Sequence, residues 1–229
     1  MNAPYLPQIA LDWKQIDTVF LDMDGTLLDL HFDNYFWLEH LPTRYAQVHG
    51  VTREQAVDYL NQHHHTTQGS LHWYCLDHWQ RLINTDIVAL KQEVAHKIQW
   101  RAEAEQFLRF LRTLNKRVVL LTNAHQKSVA LKFSHVPMRD HFDDILISHA
   151  FQLPKEHEHF WSTLEQHYPV HKQRSLFIDD NVKVLQAAQE HGVEHLLLVQ
   201  QPDSTRAPND AHPEFVNLLS YKQIMDAKP

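Results

Sequence analysis

DTVFLDMDGTLLD, residues 17–29, joins a strand to a pair of acids. Its first part, Asp17–Asp22, is an apolar run without clean alternation, the pattern of a strand buried on both faces and hence paired in parallel. Asp22 and Asp24 end the run two residues apart, so in extended chain both carboxylates face the same way. Gly25 permits a sharp turn behind them, and Thr26 can stabilise it. Neighbouring carboxylates repel, so the pair needs a shared proton or a bound cation.

Four more runs of the same kind follow: Arg117–Thr122 (RVVLLT), Ile145–Ser148 (ILIS), Leu176–Asp179 (LFID) and His195–Val199 (HLLLV). Helical stripes fill the gaps at Ala102–Leu114, Lys127–Phe133, Glu158–Gln166 and Val182–His191, the last with Gly192 as its C-cap. Strands alternating with helices predict an α/β fold with a doubly wound parallel sheet. A crossover needs about 12 residues or a little more, yet the chain from Asp22 to Arg117 is far longer. The excess, residues 32–98, is aromatic-rich with helical periodicity and reads as an inserted helical domain; residues 1–31 and 99–229 then form the α/β domain. After Val199 the proline-rich stretch QPDSTRAPNDAHP reads as a loop, and Glu214–Leu219 as a short helix.

Ligands of open α/β sheets bind beyond the carboxyl ends of the strands. There the sequence puts Asp22 and Asp24 after the first strand, Thr122 and Asn123 after the second, Lys155 after the third, and Asp179 with Asp180 after the fourth. Four carboxylates around one crevice call for a hard cation, and an all-oxygen ligand set points to Mg²⁺. Lys155 and the Thr122 hydroxyl supply a cation and a donor for an anionic substrate. The set matches phosphoryl transfer through a covalent intermediate, with one aspartate attacking phosphorus and a second moving the proton.

Composition narrows the field. The 229 residues carry 28 acidic and 21 basic side chains, a net charge of −7 with no basic run, which excludes a nucleic-acid backbone binder. Only four glycines occur, so no glycine-rich phosphate loop can be built. The single cysteine, Cys75, rules out an internal disulfide framework and reads as a buried small hydrophobe. No apolar run approaches the ~18 residues that span a bilayer, and MNAPYLPQIALDW lacks the layout of a secretory signal. The expectation is a soluble cytoplasmic protein with no membrane or nucleic-acid partner. Nothing in the sequence sets an oligomeric state.

DMDGT (22–26), LLTN (120–123), PKE (154–156) and FIDDN (177–181) together resemble the four motifs of haloacid dehalogenase superfamily phosphatases, in the family order, and the insertion resembles that superfamily's C1-type helical cap. The resemblance implies a Rossmann-like core, Asp22 as nucleophile and Asp24 as general acid/base. It implies that Thr122, Lys155 and the Asn123 amide hold phosphate. Mg²⁺ would be held by Asp22, the Asp24 carbonyl oxygen and Asp180, with Asp179 direct or through water. The presence of Asp24 implies phosphatase rather than dehalogenase chemistry.

FDNYFW (32–37), LHWYCLDHW (71–79), TNAH (122–125) and QPDS (201–204) are similar to the bacterial GMP/IMP 5′-nucleotidases of that superfamily, which implies a purine nucleoside monophosphate substrate. Trp37, Tyr74 and His125 become candidate substrate contacts, although rings such as Trp37, Trp73, Tyr74 and Trp79 are more often the core of a small helical cap than platforms for stacking a base. His63–His65 cannot chelate one ion from a helix, because successive side chains fan about 100° apart, and read as a solvated helix end. A sugar-phosphate phosphatase or phosphomutase on the same core is the alternative enzyme. A phosphoacceptor module like a receiver is the non-enzyme alternative; its acceptor lies on the third strand, whereas Asp22 follows the first.

Overall fold

The computed structural model describes residues 6–225. Six parallel strands form one sheet: β1 (Thr18–Leu21), β2 (Arg117–Thr122), β3 (Asp144–Ile147), β4 (Ser175–Asp179), β5 (His195–Val199) and β6 (Val216–Leu218), in the order β3-β2-β1-β4-β5-β6. The chain runs outward from β1 to β3, then returns to the other side of β1 and runs outward again. The reversal between β1 and β4 opens a crevice at their carboxyl ends. Registers pair Leu21 with Leu120 and with Ile178, so Asp22, Thr122 and Asp179 end three adjacent strands at nearly one level.

The lack of alternation in the strands has a direct cause. Val19, Leu21, Val118, Leu120 and Ile178 enter one apolar cluster, while Phe20, Val119, Leu121 and Phe177 enter a second on the opposite face. Each cluster is roofed by helices, so both faces of β1, β2 and β4 are dry.

The helices before β2 are α1 (His31–Tyr35), α2 (Leu41–His49), α3 (Arg53–Thr67), α4 (Leu71–Tyr74), α5 (Leu76–Ile83), α6 (Ile87–Glu93) and α7 (Ala104–Thr113). A wide turn of π type over Phe36–His40 carries α1 into α2. Thr52 starts α3 with a reciprocal capping box to Gln55. The inserted helices leave and rejoin the sheet region at one neck, where Leu28 bridges antiparallel to Trp100. The later helices are α8 (Gln126–His135), α9 (Phe160–His167), α10 (Val182–His191) and α11 (Lys222–Met225). Gly192 does cap α10, in the left-handed region at φ +96°.

Three expectations need correction. Glu214–Leu219 is not a helix: Val216–Leu218 pairs parallel with Leu197–Val199. The open edge of β5 offers backbone donors and acceptors, and satisfying them outweighs a weak helical preference over so few residues. Cys75 is half-buried rather than buried, because it sits at the corner between α4 and α5. His63–His65 do end α3, but His64 is not solvated. Its ring packs 5.6 Å from Trp37, 4.8 Å from Trp73 and 4.5 Å from Trp79.

Among the described residues no helix is long and apolar enough to cross a membrane.

Candidate active site

Beyond the carboxyl ends of β1, β2 and β4 lies a cavity of about 580 Å³, within the size range of small-molecule sites. Its floor gathers the acids. Carboxylate oxygens of Asp22, Asp179 and Asp180 lie within 4.8 Å of one another. Lys155, 2% exposed, reaches into them: its Nζ donates to Asp22 Oδ1 at 2.5 Å, to Asp179 Oδ2 at 2.7 Å and to the Leu121 carbonyl at 3.1 Å. Burial pushes Asp22 up to about 6; Lys155 opposes this and Asp179 adds to it. Asp179 and Asp180 are raised by the same burial, and Asp180 further by its acidic neighbours. Burial alone would lower Lys155, but Asp179 and Asp22 outweigh it and hold the ammonium protonated.

Three carboxylates around one ammonium leave two negative charges uncompensated. That excess, an all-oxygen donor set and raised carboxyl affinities for protons together fit a hard divalent cation. Gly25 is required here. At φ +83°, a Cβ on it would lie 2.7 Å from Asp180 Cγ and 2.9 Å from Pro202 Cβ, so the turn admits nothing larger.

The rim positions Lys155. Asn123 Oδ1 accepts from the Lys155 amide at 2.9 Å, and its Nδ2 donates to Glu156 Oε2 at 2.8 Å. Tyr74 from α4 donates to Glu156 Oε1 at 2.9 Å, and burial followed by Glu156 pushes its phenol up. Thr122, buried at the end of β2, accepts from the Ala124 amide at 3.0 Å. Neither Thr122 nor Asn123 caps the next helix; His125 does, its Nδ1 accepting from the Lys127 amide.

Asp24 stands apart from the acid cluster. Its Oδ1 lies 2.6 Å from Lys132 Nζ, an ion pair without hydrogen-bond alignment, and the same ammonium donates to Asp33 Oδ2 at 2.7 Å. Lys91 donates to Asp33 Oδ1 at 2.8 Å. Both lysines are 1% exposed. Burial pushes Asp24 up to about 6 against the pull of Lys132. For Asp33 burial acts upward too, yet Lys132 and Lys91 hold it well below the usual carboxylate range. Two carboxylates and two ammoniums thus form a self-neutral quartet beside a cluster that is not neutral.

Sequence reasoning missed Lys132, Asp33 and Lys91. One signal was available: Lys132 falls on the buried stripe of α8 with Ser128, Val129 and Leu131, where an unpaired lysine is not tolerated. The other predicted residues do line the cavity. Trp37, Tyr74 and His125 are in its wall, joined by Trp73, His64, Asn34, Asn61 and Gln68. Burial pushes His64 down to about 4, so its ring is neutral.

A family model for haloacid dehalogenase-like hydrolases matches residues 16–192. The chain is 40% identical over 219 residues to the GMP/IMP nucleotidase YrfG of Escherichia coli, covering 95% of this chain and 97% of that one. It is 24% identical over 240 residues to enolase-phosphatase E1 of Scheffersomyces stipitis, covering 91% and 99%. Among solved structures, a phosphatase of the same superfamily from Thermococcus onnurineus superposes with a TM-score of 0.70 at 15% identity, covering 92% of this chain and 94% of that one.

Proposed function

The chain belongs to the haloacid dehalogenase-like hydrolases, and on that premise we propose that it is a Mg²⁺-dependent phosphomonoesterase acting on purine nucleoside 5′-monophosphates. One observation supports this above the rest: Asp22, Asp179 and Asp180 converge around Lys155 beneath a cavity walled by Trp37, Trp73 and Tyr74. The base class follows the 40% identical relative, whose name is that of a GMP/IMP nucleotidase. The aromatic wall suits it, since stacking on a ring is worth ~1–3 kcal/mol per base.

Asp22, at the tip of the central strand, attacks phosphorus in line and displaces the nucleoside oxygen. Asp24 gives that oxygen its proton, then takes one from the water that cleaves the aspartyl phosphate. Asp22, Asp180 and the Asp24 carbonyl would hold Mg²⁺, with Asp179 direct or through water; when bound, the ion neutralises charge on the transferring group. Lys155 and Thr122, with the Asn123 amide, hold the phosphate oxygens. Lys155 is pre-aimed by Asn123 and Glu156, which removes a reorganisation cost from the reaction. Residues 32–98 act as the cap that shapes the leaving-group side and limits water.

The test is a panel of GMP, IMP, AMP and hexose phosphates with Mg²⁺ present. Preference for GMP and IMP supports the reading; preference for hexose phosphates removes the nucleotide and keeps the core chemistry.

A further inference from the structure

The loop after β5 holds a buried acid that the catalytic scheme does not use. Asp203 is 3% exposed. Its Oδ1 accepts from the Thr205 amide at 2.9 Å and from Thr205 Oγ1 at 2.6 Å. Its Oδ2 accepts from Asn34 Nδ2 at 2.7 Å, and Arg206 Nε lies 3.4 Å away. The loop is tied to the chain leaving β1: the Leu30 amide donates to the Pro202 carbonyl at 2.9 Å, and the Ser204 amide to Asp29 Oδ1 at 3.2 Å. Burial alone would raise Asp203, but the Thr205 and Asn34 hydrogen bonds outweigh it and keep the carboxylate ionised.

An ionised carboxylate accepts only. It therefore fixes which end of the Asn34 amide faces it, and that end is the NH₂. Oδ1 is the end left over. Asn34 lines the cavity, and among the described residues its Oδ1 has no protein donor and is not sealed from solvent. The cavity thus carries an acceptor whose direction is set from behind. Phosphate oxygens are acceptors too and would be repelled, so its partner is an N–H or O–H donor. Asn34 adjoins Asp33, which shares the Lys132 ammonium with Asp24. Asn34 lines the same cavity as Asp22 and Asp24, and the loop that orients it packs on the catalytic turn, where a Cβ on Gly25 would lie 2.9 Å from Pro202 Cβ.

We propose that Asn34, oriented by Asp203, is the subsite for the sugar hydroxyls of the leaving group, so that the protein selects phosphomonoesters of ribose over their deoxy analogues. This rests on the phosphomonoesterase reading and holds for a nucleotide or a free sugar phosphate alike. Asp203 acts as a positioning residue. It touches no substrate, and its loss lets the amide turn and present donors.

The experiment compares kcat/KM for GMP and 2′,3′-dideoxyGMP in the intact protein and in Asn34→Leu, Asp203→Asn and Asp203→Ala, each variant serving as its own reference so that partial misfolding cancels. One hydrogen bond predicts a ratio of about two to thirteen in the natural protein, falling to near one in Asn34→Leu and well below the natural value in both Asp203 variants. A ratio near one in the natural protein, or an undiminished ratio in Asn34→Leu, overturns the subsite. Absent GMP turnover removes the nucleotide reading instead; the same comparison with ribose 5-phosphate and 2-deoxyribose 5-phosphate then decides the subsite.

Discussion

The quartet of Asp24, Lys132, Asp33 and Lys91 gives the sharpest stability prediction. Lys91 and Lys132 are both buried, and Asp33 bridges them at 2.8 and 2.7 Å. Lys91→Met leaves two carboxylates on one ammonium. Asp33→Asn leaves two ammoniums on one carboxylate. Each strands a unit of charge in a dry region, and removing one partner of a buried pair costs about 3–5 kcal/mol. The Lys91→Met/Asp33→Asn double variant removes one whole pair and leaves Asp24 with Lys132, so the local charge returns to zero. Methionine can also occupy the apolar stem channel, where Lys91 Nζ lies 4.4 Å from the Phe36 ring centroid and 4.8 Å from that of Phe32. The double variant is therefore expected to be no less stable than either single one. The coupling should be at least about 3–5 kcal/mol toward rescue, read as a double-mutant cycle from urea unfolding at pH 7 with metal excluded. Single losses below 1 kcal/mol, or losses that add in the double variant, would refute the account of these four groups as one electroneutral unit.

Four further outcomes follow. Gly25→Ala should cost roughly 1–2 kcal/mol for the left-handed backbone and weaken Mg²⁺ binding through displacement of Asp180; unchanged thermal midpoint and metal affinity would contradict the turn geometry. Asp22→Asn should abolish turnover and acid-stable phosphoenzyme while circular dichroism stays native, and EDTA should silence the natural protein until Mg²⁺, more than Ca²⁺, restores it. Burial pushes both His64 and His149 down to about 4. Their neutral forms are therefore favoured in the folded state, and that stabilisation is complete above pH 6.5. It should fade as pH falls from 6.5 toward 4, by on the order of 1 kcal/mol per ring after solvent screening, and His64→Phe should flatten part of the slope in urea midpoints measured at pH 7.5, 5.5 and 4.5.

What the sequence revealed and what it concealed divide along the range of the interactions. Asp22, Thr122 and Asp179 are visible because each directly follows an apolar run, and a parallel sheet turns that local order into a shared edge. The six-residue strand β2 and the Gly192 cap are local facts of the same kind. Lys132 and Asp33 lie 99 positions apart, and nothing nearby marks either as the other's partner. Trp37, His64 and Trp79 likewise meet from three separate helices, so the tract His63–His65 read as solvated when one of its rings was packed. Val216–Leu218 fails for a related reason: its conformation is set by the edge of β5, not by its own three residues.

The two charge groups, placed side by side, explain why a cation belongs in one and not the other. Asp24 would be a fourth carboxylate in the nest were it not already paired with Lys132. The pairing holds its side chain out of the cluster of Asp22, Asp179 and Asp180. A divalent ion held there would meet a net charge of two. In the mechanism we propose, Lys132 would also keep the Asp24 carboxyl from being captured as a metal ligand, which would end its use as an acid. A single buried lysine on α8 would thus separate the group proposed to move protons from the groups proposed to hold metal.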